Sequence, residues 1–205
     1  MRLVIDPNTP KWRQLKTAAE HLENGEAIAF PTDTTYALGA SIKSKNAIEK
    51  LYELKRMSRK KPLSILCRDL SDISRYAVVS DYAYRTMKRL LPGPYTFILP
   101  ATREVPRIMQ DAARKTVGIR VPNCPLTLGL LEQLGHSIVA TSAQPTGDIP
   151  LEDPIEIEER FGHGLALVID SGIRAYSPST VVNLIGGVPE ILREGSGSIE
   201  AILSE

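Results

Sequence analysis

Cysteine and histidine are scarce in this chain of 205 residues, which holds two of the first (Cys67, Cys124) and three of the second (His21, His136, His163). None stands at metal-ligand spacing from another, so no metal site is expected. Two isolated thiols are expected to be buried and reduced, as in a cytoplasmic protein. No apolar stretch reaches membrane-spanning length, and residues 1–6 are too short for a secretory leader, so neither an anchor nor a leader is expected. There is no Gly-rich phosphate loop ending in Gly-Lys-Ser/Thr and no Gly-x-Gly-x-x-Gly fingerprint, so any nucleotide is held in another way.

Charge of each sign is missing from one part of the chain. Residues 1–120 carry 22 Lys and Arg against 12 Asp and Glu, and residues 121–205 carry 3 against 12. The formal net charge of +1 conceals this split. It suggests a basic surface turned toward a polyanion or phosphates, or two halves that complement each other across an internal contact. The cations cluster at 55–61 and again at Arg85, Lys88 and Arg89, which favours the surface.

What is present reads as one α/β domain over 1–205. Short apolar runs rich in β-branched residues predict strands at 27–30, 63–67, 95–100, 117–121, 137–141, 165–169, 180–184 and 191–193. Helical spacing predicts helices at 10–23, 46–57, 81–91, 105–115, 126–134 and 154–161. Asn46 and Glu49 suggest a capping box for the second of these. Alternation of the two element types predicts a sheet with helices on its faces. The late strands follow one another without helices, which predicts some antiparallel pairing and hence an open, twisted, mixed sheet.

The segment Phe30-Pro31-Thr32-Asp33-Thr34-Thr35-Tyr36-Ala37-Leu38-Gly39 is the most informative. A buried strand runs into four consecutive polar side chains fixed by Pro31 and relaxed at Gly39. Such a turn can aim hydroxyls and N–H groups into a cleft. Asp33 within it is a candidate general base for a hydrolase, although an Asp in such a turn commonly bonds local backbone. The run Lys55-Arg56-Met57-Ser58-Arg59-Lys60-Lys61-Pro62-Leu63 places five cations in seven positions. Cations there complement a helix dipole; Lys55, Arg59, Lys60 or Lys61 are also suited to neutralising phosphates. Ser142 and Gln144 follow a strand, where open α/β sheets bind ligands. Ser142 lacks the Gly-x-Ser-x-Gly elbow of a hydrolase nucleophile. Ser179 and Thr180 form a further hydroxyl pair. Arg120 lies inside an apolar strand, and burial of its charge demands a carboxylate from protein or ligand. Arg193 poses the same question.

In this order the Pro-Thr-Asp-Thr-Thr-Tyr-Ala-Leu-Gly, Lys-Pro-Leu, Gly-Ile-Arg-Val-Pro, Thr-Ser-Ala-Gln and Pro-Ser-Thr-Val-Val runs resemble the YrdC/YciO-type family of threonylcarbamoyl-adenylate synthases, and within it the YciO branch. The resemblance covers roughly residues 15–197. It implies a YrdC-like fold with a basic concave surface. It implies nucleotide and RNA binding (double-stranded RNA or tRNA), and synthesis of threonylcarbamoyl-AMP from threonine, bicarbonate and ATP with Mg²⁺, in service of tRNA t6A modification. By this resemblance Thr32 contacts the amino acid and Arg120 pairs with its carboxylate, while Ser179 and Thr180 line the same pocket. Lys55 and Ser142 are the catalytic candidates. Lys55, Lys61, Ser142, Gln144 and Arg193 face the nucleotide; Arg56, Arg59, Lys60 and Lys61 face RNA. Two signature positions depart: Met57 stands where the synthases carry Arg, and Gln144 where they carry Asn. A thioether cannot hydrogen-bond a phosphate as a guanidinium does, so the departures imply weak or altered synthase chemistry, or an RNA-binding protein without catalysis.

Overall fold

The computed structural model describes residues 1–59, 61–109, 115–147 and 151–204. Its frame is a mixed sheet of ten strands: β1 Arg2–Val4, β2 Ile28–Pro31, β3 Tyr36–Ser41, β4 Ser64–Leu66, β5 Tyr95–Pro100, β6 Thr116–Arg120, β7 Ile138–Ser142, β8 Leu167–Asp170, β9 Thr180–Asn183 and β10 Glu190–Arg193. The spatial order is β1-β8-β2-β3-β7-β4-β6-β5-β9-β10. β1 and β2 flank β8 in parallel, β4 runs parallel to β6 and β5 to β9. The other neighbours are antiparallel.

Seven α-helices accompany the sheet: α1 Trp12–Glu23, α2 Lys45–Leu54, α3 Leu70–Tyr76, α4 Asp81–Leu90, α5 Pro125–Leu134, α6 Pro154–Phe161 and α7 Ile199–Leu203. Each is amphipathic at helical spacing: α1 buries Leu15, Ala18, Ala19 and Leu22, and α2 buries Ala47, Ile48, Leu51 and Tyr52. One sheet face is covered broadly, with Ile65, Phe97, Ile119, Val139 and Val182 in one apolar cluster with residues of α2, α3, α4, α6 and α7. The opposite face is covered only in part. There α1 and α5 pack with Ile28, Phe30, Ala37, Leu66, Ile138 and Leu167. No residue of β5, β6, β9 or β10 joins that second cluster. The sheet surface left bare by this short helix layer is where the cavity described below lies.

Several expectations are corrected. The N-cap of α2 is Ser44, whose Oγ accepts from Ala47 N–H at 3.2 Å, and not the Asn46–Glu49 box. A cap of this kind contributes about 1 kcal/mol. The expected helix over 105–115 is, among the described residues, a single 3₁₀ turn at Arg107–Met109. Residues 110–114 lie outside the described residues; Lys115 itself is not helical, with φ 49° and its carbonyl accepting Ala101 N–H. β1 and β3 lie outside the expected strands. β3 contains Gly39, where a Cβ would stand 2.5 Å from the ring of Phe30 on the neighbouring strand.

Candidate functional site

The polar turn after β2 is built by its own hydroxyls. Thr32 Oγ1 donates to Thr35 O at 2.7 Å and accepts the N–H groups of Thr34 and Thr35. This is the hydroxyl-to-backbone device that competes with regular structure at strand ends. The turn is clamped from outside: Arg174 Nη1 donates to Thr32 O at 2.9 Å. Thr32, Thr34 and Thr35 are all buried, and all three line a cavity of about 260 Å³.

The cavity floor is the bare sheet face. Ala140, Ser64, Gly118 and Ile98 are neighbours in register across β7, β4, β6 and β5, and all four line it. Arg120, Ser142, Gln144, Ser179 and Arg193 contribute further functional groups, beside Thr96, Thr141 and Tyr176. The lining holds two guanidinium groups and no Asp or Glu; Arg120 is paired with Asp33 from outside the lining, and Arg193 has no ion pair among the described residues.

Arg120 answers its buried-charge question inside the protein. Nη2 donates to Asp33 Oδ1 at 2.8 Å and to Thr34 Oγ1 at 3.0 Å. Its buried Nε has no hydrogen-bond partner. Burial pushes the guanidinium below its ordinary value; the Asp33 carboxylate opposes that shift, and Arg193 adds to it. The second oxygen of Asp33 accepts Asn123 N–H at 3.0 Å. The carboxylate thus serves an arginine and a backbone amide, the structural role an Asp in such a turn commonly takes, and Asp33 is not in the cavity lining.

Lys55 is the C-cap of α2 and is 7% exposed. Its ammonium donates to Thr141 Oγ1 at 2.9 Å, to Ser142 O at 2.8 Å and to Ser142 Oγ at 3.3 Å. Burial, with Lys61 second, lowers its pKa from 10.5 to about 8. Lys55 therefore reaches the cavity through Ser142 and is not itself part of the lining. Arg193 lies over Ser179, donating from Nη2 to its carbonyl at 2.8 Å and to its Oγ at 3.3 Å. Ser179 Oγ is in turn 2.7 Å from Thr96 Oγ1.

Two of the expected site residues lie outside the cavity lining. Thr180 does not line the cavity. It is fully buried, with Oγ1 donating to Gly197 O at 2.7 Å and accepting Gly195 N–H at 3.0 Å. One step along a strand reverses the side-chain direction, so Ser179 and Thr180 part company. Lys61 is exposed and outside the lining, although close enough to depress Lys55. Arg56 and Arg59 are exposed, with Arg59 3.6 Å from Glu49. Lys60 lies outside the described residues. Arg174 and the cavity-lining Tyr176 were not singled out by sequence reasoning, and Asp33 was considered there only as a general base and not as the partner of Arg120. Asp33 carried the only signal, its place in the turn.

This fold and cavity define an α/β protein with a hydroxyl- and arginine-lined cavity on an open sheet face. The chain belongs to the Sua5/YciO/YrdC family, whose model, described as telomere recombination, matches residues 20–195. It is 39% identical over 200 residues to the Escherichia coli protein YciO, covering 97% of each chain. The crystal structure of E. coli YciO superposes with a TM-score of 0.93 over 98% of both chains. Threonylcarbamoyl-AMP synthase of Bacillus subtilis is 32% identical over 191 residues, 92% of this chain and 55% of that one. Pyrococcus abyssi Sua5 in complex with L-threonine superposes with a TM-score of 0.92 at 29% identity, covering 98% of this chain and 59% of that one. Among the described residues no helix is long and apolar enough to cross a membrane, and none of their His, Cys, Asp and Glu side chains form a metal-binding group.

Proposed function

We propose that the cavity binds an amino acid and ATP and carries weak or altered threonylcarbamoyl-AMP synthase chemistry linked to tRNA modification. The observation that carries this reading is Arg120, a cavity-lining guanidinium whose buried Nε lacks an acceptor. An unsatisfied buried donor is costly, and a ligand carboxylate against Arg120 relieves that cost. The amino group of such a ligand would condense with bicarbonate to a carbamate, forming the N–C bond and releasing water. A carbamate oxygen would then attack the ATP α-phosphorus, expelling pyrophosphate. The residues to assist are Lys55 and Arg193, as cations beside Ser142 and Ser179, where phosphate charge develops. Gln144 lies on the same wall. Mg²⁺ accompanying ATP meets no carboxylate in the lining; its ligands would be triphosphate oxygens and water.

The test is pyrophosphate release from ATP, with and without threonine and bicarbonate, at catalytic and then stoichiometric protein. Release that requires both co-substrates is expected. No release at stoichiometric protein, with ATP still bound, would overturn the synthase chemistry.

A second reading is a non-catalytic protein binding double-stranded RNA or tRNA. It is favoured by Met57, which packs against the apolar cluster where the synthases carry a phosphate-binding Arg. The exposed Arg56, Arg59 and Lys61 supply part of a basic face. RNA affinity that falls steeply with salt, without pyrophosphate release, would establish this reading.

A further inference from the structure

Trp12, the chain's one tryptophan, opens α1 and is 66% exposed. Leaving so large a ring in water forfeits burial that aromatic residues ordinarily supply. Its neighbours are Lys11, Arg13 and Lys16, all exposed. Among the described residues none of these three cations has an ion-pair partner. The first turn holds no acid, and the N-cap Lys11 makes no side-chain cap. The acids Glu20 and Glu23 stand at the opposite end of the helix. That distribution runs against the helix dipole, which favours acids at the start and cations at the end. Helix stability therefore does not account for the cluster.

The chemistry of the cluster selects its occupant. A flat exposed ring flanked by unpaired cations suits a stacked base between phosphates. A lipid surface would need an apolar helix face, but Leu15, Ala18, Ala19 and Leu22 are spent on the interior. A separate groove is lined in part by Pro7, Asn8, Asp33, Asn123, Pro125 and Arg174. Asn8 precedes Trp12 by four residues.

We propose that the start of α1 binds single-stranded nucleic acid, with an unpaired base stacked on Trp12 and phosphates on Lys11, Arg13 and Lys16. This shares with the second reading above only the nature of the ligand. It concerns a surface separate from the basic run at 55–61, and it is independent of the cavity's chemistry.

Because Trp12 is the only tryptophan, its fluorescence reads the contact directly. The probe is a single-stranded oligoadenylate of about ten nucleotides. Titration should quench the emission with the same midpoint as anisotropy of a labelled oligonucleotide, and added salt should reverse both. Trp12→Ala should weaken binding about tenfold or more, while Trp12→Phe keeps most of the affinity. A polyanion without bases, such as heparin, should bind without matching the quench. RNA bound with Trp12 emission unmoved, and with Trp12→Ala at full affinity, would overturn this site and leave the wider RNA reading standing. No RNA bound at low salt would overturn both. Quenching by anionic lipid vesicles, with none by the oligonucleotide, would replace the nucleic acid with a membrane surface.

Discussion

Arg120 and Asp33, 87 residues apart in the chain, meet at 2.8 Å, with side chains 12% and 8% exposed. The pair joins the last residue of β6 to the turn after β2, so it couples two walls of one cavity. Each partner has a second bond: Arg120 to Thr34, and Asp33 to the Asn123 amide. A pair this enclosed is poor evidence of net stability, because desolvation offsets its attraction, yet breaking it from one side is expensive.

Asp33→Asn keeps the shape and removes the charge that Arg120 faces. It should lower unfolding stability by about 3 kcal/mol, measured by urea denaturation. Replacing both partners, as Asp33→Asn with Arg120→Met, should cost less than the two single changes summed, because no charge is then stranded. If the cavity takes an amino acid as proposed, L-threonine should raise the unfolding midpoint of the native protein, and that rise should vanish with Arg120→Met. A loss below about 1 kcal/mol for Asp33→Asn would mean that water in the cavity already screens the pair.

Lys55 makes stability depend on pH in a direction opposite to that of a stabilising ion pair. In the unfolded chain it holds its proton to the ordinary 10.5, and in the fold only to about 8. Between those values the unfolded state binds more protons, so unfolding free energy rises with pH across this window. Below pH 8 the cost of charging the buried amine is fully present. The whole effect is about 3 kcal/mol. Other groups titrate in the same range, so the measurable quantity is the difference between native protein and Lys55→Met. That difference should shift by about 3 kcal/mol in favour of the native protein between pH 7 and pH 10.5. A flat difference would show that the three acceptors around Nζ, on Thr141 and Ser142, fully offset burial. Anion binding should run the other way and weaken above pH 8, as the ammonium loses its proton.

The fold was legible where side chains announce it. Strands β4 to β10 and β2 carry β-branched or aromatic runs, and the expected segments overlap them. β3, Tyr-Ala-Leu-Gly-Ala-Ser, has no β-branched residue and is buried on both faces. Its small residues answer to the Phe30 ring on β2, a constraint visible only once the strands pair. Over 105–109 the helix reading followed Val105 and Met109, spaced by four and both buried, while the described backbone there holds only the 3₁₀ turn Arg107–Met109 after Pro106. At the site, motif order named Thr32, Arg120, Ser142, Gln144, Ser179 and Arg193, and the sheet brings all six around one cavity. The partner of Arg120 was not legible, because nothing local links a strand residue to a turn 87 positions away. Thr180 was misplaced because a hydroxyl pair in sequence was read as a pair in space.

The remaining prediction concerns the departure at Met57. Helix α2 ends with Arg56 in the left-handed region at φ 48°. Arg56 N–H bonds Glu53 O, and Met57 N–H bonds Tyr52 O, both at 2.9 Å. This bond pair is a Schellman ending, usually turned on glycine and closed by an apolar residue. Met57 fills the apolar place, packed against the cluster that holds Tyr52 and Leu51. Met57→Arg therefore should not by itself deliver a guanidinium to the cavity. It should cost about 1–2 kcal/mol from lost packing and leave pyrophosphate release unchanged. Arg56→Gly should stabilise by about 1 kcal/mol, because a side chain in this conformation is strained by about that much. In the Arg56→Gly background, Met57→Arg with Gln144→Asn gives the backbone freedom to turn the new side chain inward. If position 57 limits the chemistry, this triple variant should raise threonine- and bicarbonate-dependent pyrophosphate release above that of the native chain. A gain from Met57→Arg alone would mean that the Schellman ending is no barrier. No gain from the triple variant, with ATP binding intact, would move the limit away from these positions to Lys55 and the wall that Arg193 and Ser179 build.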